Sequence, residues 1–116
     1  MKYEPKTNTI DFEFPNGVTF VVDPMKAQSR ATEIQELLKE PMAGREGELV
    51  DPAMLKKMCK NARVCVDLLL DETGASNKIL DANAGYYDIM DVYFFILKNV
   101  NAKCAEKNAE REAKTK

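Results

Sequence analysis

The sequence has no histidine and no tryptophan. Without histidine it lacks the commonest general base and the commonest metal ligand, so no Ser-His or Cys-His nucleophilic pair can form. Neither Ser-x-x-Lys nor Gly-x-Ser-x-Gly occurs. Cysteine is scarce and odd in number: Cys59, Cys65 and Cys104. None shows the C-x-x-C spacing of a zinc knuckle or a redox motif. Cys59 and Cys65 instead sit within a helical apolar pattern, where a free thiol packs as a small hydrophobe. No run of about eighteen apolar residues is present, and Met1, Lys2, Tyr3, Glu4 and Pro5 lack the apolar stretch of a secretory signal. These absences predict a soluble protein of the cytoplasm with reduced thiols, no metal and no cofactor.

Charge of one sign is also missing. Seventeen Lys and Arg face nineteen Asp and Glu, a net charge of −2 in 116 residues. Such a balance argues against nucleic-acid binding by phosphate neutralisation. With five Gly, five Pro and 45% hydrophobic residues, the chain is neither collagenous nor low-complexity nor wholly disordered. The length suits one domain, placed at residues 1–104, with a charged C-terminal extension at 105–116.

Ile10, Phe12 and Phe14 alternate with Asp11 and Glu13, the period of a half-buried strand, and Val18, Phe20 and Val22 repeat it beyond Pro15, Asn16 and Gly17. A two-residue Asn-Gly loop would put Phe12 and Phe20 on opposite faces. A three-residue loop pairs Phe14 with Val18, Phe12 with Phe20 and Ile10 with Val22, so all six share one face. That predicts a hairpin over 9–22 with its apolar face on helices.

Asp23-Pro24 and Asp51-Pro52 are helix starts, an N-cap followed by proline. Ala27, Ala31, Ile34 and Leu38 predict one helix over 24–40, ended by Pro41. The stretch 41–48 reads as a loop: its glycines have no Gly-Lys-Ser/Thr to make a phosphate cradle. Leu55, Met58, Ala62, Cys65 and Leu69, widened by Met54, Val66 and Leu70, predict a helix over 52–72, with Gly74 as its left-handed C-terminal residue. A short helix over 75–80 and a long one over 86–104 follow. The class expected is mainly α with an N-terminal β-hairpin, a small α+β fold of three to four helices around one core. The extension at 105–116 carries good helix formers and no apolar face. It reads as an exposed helical continuation or as a tail that orders on a partner.

Carboxylates offer the one remaining route to catalysis. Asp67, Asp71 and Glu72 lie near a helix end, and Asp88 and Asp91 share a helix face. Each sits on a polar stripe, as solvated helix surface does, and Asp71, Glu72 and Asp81 lack the regular spacing of a calcium loop. The chain is therefore read as non-enzymatic.

The last helix is more informative. At roughly 100° per residue, Asp88, Asp91, Lys98 and Ala102 fall within one arc of about 80°. Ile89, Met90, Tyr93, Ile96, Leu97 and Val100 form an ample core face opposite. Phe95 lies inside the polar arc and Val92 at its edge, while Tyr87 and Phe94 flank the other boundary. The helix has more apolar circumference than a small two-layer domain needs. Either the hairpin or the tail covers it, or Tyr87, Val92, Phe94 and Phe95 form a partner-binding surface, with the C-terminal tail as a second candidate. Six methionines suit adaptable apolar contact and core packing alike.

Residues 66–80, followed by a linker and the aromatic helix 86–97, resemble the tail assembly chaperones of long-tailed phages. In those proteins a helix ends in an acidic-hydrophobic run and a glycine, then come a short small-residue helix and a long helix. The matching positions are Leu69, Leu70, Asp71, Gly74, Ala75, Ile79 and Leu80. The Phe-x-Phe-Pro-Asn-Gly-Val hairpin also looks like the start of such proteins. One departure is Leu80, where the family usually has an aromatic. The resemblance implies a protein of the host cytoplasm that coats the tape-measure protein during virion assembly and recruits tail-tube subunits. It also implies a homo-oligomer and, in many relatives, a longer frameshifted product. The alternatives are a structural tail or connector component of a phage or prophage and, third, a small metal-dependent enzyme.

Overall fold

The computed structural model describes residues 1–4 and 8–115. Strands β1 (Ile10–Glu13) and β2 (Thr19–Val22) pair antiparallel, Ile10 against Val22 and Phe12 against Phe20. This is the register of the three-residue loop. Gly17 takes the left-handed conformation at φ +84° and donates to Phe14 O at 2.8 Å, and the Phe14 amide donates to Val18 O at 3.0 Å. Phe12, Phe14, Phe20 and Val22 are buried, and Ile10 and Val18 pack against the core beside them.

The Asp23 carboxylate caps α1 (Pro24–Gln28) by accepting from the Met25 and Lys26 amides. Here the structure departs from the expected single helix over 24–40. The chain breaks at Ser29 and Arg30, and α2 (Ala31–Lys39) starts afresh. Ser29 Oγ donates to Lys26 O at 2.6 Å, a local bond that competes with the helical ladder. The break also aims Arg30: its guanidinium donates to Leu68 O at 2.6 Å and to Asp71 Oδ1 at 2.8 Å. It resets the helix phase, so Ile34 stays buried while Ala31, placed in the core by periodicity, is exposed. Pro41 is buried in a 3₁₀ turn at Glu40–Met42 rather than lying beyond a helix end.

Helix α3 (Pro52–Leu70) is capped by Asp51, whose carboxylate accepts from the Met54 amide at 2.8 Å. Its buried side is Met54, Asn61, Ala62, Cys65, Val66, Leu69 and Leu70, with Asn61 Nδ2 donating to Leu37 O at 2.7 Å. Leu55, expected in the stripe, is exposed. The left-handed residue that ends α3 is Asp71 at φ +57°, not Gly74; aspartate tolerates that conformation, and Lys26 and Arg30 grip its carboxylate. Gly74, also left-handed, opens α4 (Ala75–Ile79). The Asp67 carboxylate folds this turn by accepting from the Gly74 amide at 3.0 Å and the Ser76 amide at 2.7 Å. Asn16 at the hairpin tip donates its side-chain amide to Lys78 O, tying the hairpin to α4.

Helix α5 (Tyr86–Thr115) runs for 30 residues, about 45 Å at 1.5 Å per residue. It continues past the expected end near Cys104. Alanine, glutamate and lysine favour helix there, and Lys103–Glu106 and Lys107–Glu110 add ion pairs three residues apart. Ile89, Met90, Tyr93, Ile96, Val100 and Cys104 are its buried face. The fold is mainly helical with an N-terminal hairpin; among the described residues there are five α-helices, because the break at Ser29 and Arg30 makes two of one. Among the described residues, no helix is long and apolar enough to cross a membrane.

Candidate interaction surface

Three of the four residues singled out on α5 reach solvent: Tyr87 is 82% exposed, Phe94 56% and Phe95 50%. Val92 is half-buried against the core. The structure divides them into two flanks. Phe95 points toward the hairpin, its ring edge-on to Phe12 at 5.9 Å and to Phe14 at 6.3 Å between centroids. Phe14 in turn meets Phe20 at 6.0 Å. The aromatic face of the hairpin thus seats Phe95 but leaves half of it in water. Tyr87 and Phe94 lie seven residues apart on the other flank. The Tyr87 ring touches Tyr86 at 5.9 Å, and Phe94 touches Tyr93 at 5.2 Å, both neighbours on α5 itself. Sequence periodicity locates the exposed rings; it does not show that the hairpin divides them.

Charges separate in the same way. Asp71 is held by Lys26 at 2.7 Å and Arg30 at 2.8 Å, and these two cations keep its carboxyl below the usual range. Glu72 pairs with Lys78 at 2.7 Å, and the Asp88 carboxylate accepts from the Gly85 amide at 3.2 Å. The carboxylates considered for chemistry near the α3 end are thereby committed to holding turns. By contrast, among the described residues Asp91 and Lys98 on the outer side of α5 make no ion pair. No group of three or more His, Cys, Asp or Glu among the described residues could hold a metal ion. The Cys65 thiol, pushed up to about 11 by burial and then by Glu33, donates to Ile34 O at 3.7 Å. It is a packing residue, protonated at neutral pH.

Two further features are not singled out by the sequence. Leu49, Val50 and Leu55 are exposed around the start of α3; Leu55 follows the core periodicity, which cannot tell where the neighbouring helix stops. A cleft of about 390 Å³ lies where Tyr3, Glu4 and Asp23 face Cys104, Lys107 and Arg111 of the α5 extension. Compared with known proteins, the chain matches no family model, no curated protein and no solved structure.

Proposed function

We propose that this chain is a non-catalytic tail assembly chaperone that binds apolar segments of a phage tape-measure protein in the host cytoplasm, shields them from water and recruits tail-tube subunits. The observation that carries the reading is Phe95, a large ring seated on Phe12 and Phe14 yet half exposed. A partner leucine or phenylalanine laid over it, with Val92 at the edge, completes an aromatic cluster that is already built. Covering the remaining half of the ring contributes about 1 kcal/mol. A contact that small releases easily, as a factor that must leave the finished tail requires. The residue pattern of 66–80 and the hairpin supports the family assignment, and the carboxylates tied into turns support a binding role.

The test is co-expression with the tape-measure protein of the same genome, followed by capture of the complex and analysis of purified particles. The tape-measure protein is expected to co-purify with the chain. Phe95→Ser is expected to weaken that capture severalfold while leaving the circular dichroism unchanged. Finding the chain in finished particles would assign it instead to the tail structure. A tape-measure protein that does not bind would refute the proposal.

A further inference from the structure

We infer that the Tyr87–Phe94 flank of α5 is a self-association face, on which two copies of this chain pair their α5 helices antiparallel about a two-fold axis beside Phe94. At 100° per residue, Tyr87, Asp91, Phe94, Lys98 and Asn101 occupy one arc of about 80°, and all five are exposed. The hairpin sits on the Phe95 flank instead; Gln28 of α1 borders one margin of the arc, donating to Asn101 Oδ1 at 3.3 Å, and at the other Asp91 lines a shallow cleft with Asp88, Ile79, Leu80 and Asp81.

The choice of a second copy as occupant comes from the charges. Asp91 precedes Phe94 by three residues and Lys98 follows it by four, and neither has an ion-pair partner among the described residues. A two-fold axis between positions 94 and 95 sets Asp91 opposite Lys98 of the second copy, and the symmetry forms that contact twice. The two Phe94 rings meet at the axis. Tyr87 falls opposite the Asn101–Ala102 step of the second copy, whose short side chains leave room for its ring. A parallel pairing would instead set Asp91 on Asp91 and Lys98 on Lys98, which like-charge repulsion disfavours. The stripe from Tyr87 to Ala102 is about 22 Å long. One helix pair of that length is a small interface, so the dimer is reversible and concentration-dependent. The inference uses Tyr87, Asp91, Phe94 and Lys98 and is independent of the Phe95 contact proposed above.

Sedimentation equilibrium of the full chain, from micromolar to sub-millimolar concentration, tests it. The wild type is expected to pass from monomer to dimer. Asp91→Lys and Lys98→Asp, each alone, are expected to weaken association at least about tenfold, because each sets like charges across the axis. Equal mixing of the two single variants is expected to restore a dimer, since one chain then carries a cation at both positions and the other a carboxylate at both. Both positions are exposed, so melting temperatures should match the wild type. Phe95→Ser should still dimerise, which separates a failure here from a failure of tape-measure binding. A wild type that is monomeric throughout would overturn the inference. So would single variants that associate as the wild type does, or a mixture that stays monomeric.

Discussion

The end of α3 and the outer flank of α5 are both rich in charge and in large side chains, yet they are built on opposite terms. At the end of α3 each of the three carboxylates finds a partner inside the chain. Asp67 receives two backbone amides, Asp71 two cations, and Glu72 a lysine. On α5, the rings of Tyr87 and Phe94 meet the rings of their own helix neighbours Tyr86 and Tyr93, and among the described residues Asp91 and Lys98 make no ion pair. Closure at one end and incompletion on the other is the difference expected between a joint that holds the fold and a surface that meets another molecule. Phe95 stands between the two, half enclosed by the hairpin.

The comparison breaks most readily at the aromatic cluster. Phe12 and Phe95 are ring neighbours, but Phe12 is 3% exposed and Phe95 is 50% exposed. Phe12→Ala is expected to cost about 3–5 kcal/mol in a urea titration, the range for emptying a buried aromatic site. Phe95→Ala is expected to cost about 1 kcal/mol, since half of that ring already lies in water. Equal losses would mean that Phe95 is a core residue and that the hairpin flank is closed.

The parts of this architecture legible in sequence are those set by short-range pattern. Alternation at Ile10, Phe12 and Phe14, with Gly17 able to take a left-handed conformation, is enough to choose among hairpin registers. The α5 core face follows from helical periodicity. What escapes depends on contacts across tens of residues. Nothing near Ser29 announces that Arg30 will dock on Leu68 O and Asp71, so the break in 24–40 is invisible, and with it the exposure of Ala31. Leu55 keeps the α3 period and still faces water. Phe95 can be placed in the polar arc, but only the docked hairpin reveals which side of it remains free.

The turn after α3 offers the next test. Asp67 accepts from the Gly74 and Ser76 amides, and Ser76 is 1% exposed. Asp67→Ala removes a charged acceptor and strands a buried donor, for an expected loss of about 2 kcal/mol. Asp67→Asn, which keeps one acceptor oxygen, should recover part of that loss. Hydrogen exchange of the Ser76 amide should accelerate in the alanine variant. An unchanged Ser76 amide would mean that the turn is held by other contacts.

The smallest effect is electrostatic, and it separates charge from conformation at Asp71. Lys26 and Arg30 depress the Asp71 carboxyl below its ordinary 3.8. A group whose pKa is lower in the folded chain binds fewer protons there than in the unfolded chain. Its stabilising contribution is therefore complete above about pH 4 and is lost as the pH falls through the depressed value. Asp71→Asn keeps a side chain that tolerates φ +57° but removes the charge and one of the two acceptor oxygens that Lys26 and Arg30 use. Its melting temperature is expected to lie slightly below that of the wild type at pH 7, with the gap closing as the pH falls below about 4 and through the depressed value of the carboxyl. The effect is small because the Asp71 and Lys26 side chains are 44% and 53% exposed, where solvent screens the pair. A gap that persists unchanged into acid would show that the carboxylate acts by shape alone. The closed joint at the end of α3 would then be a matter of backbone geometry, with its ion pairs incidental.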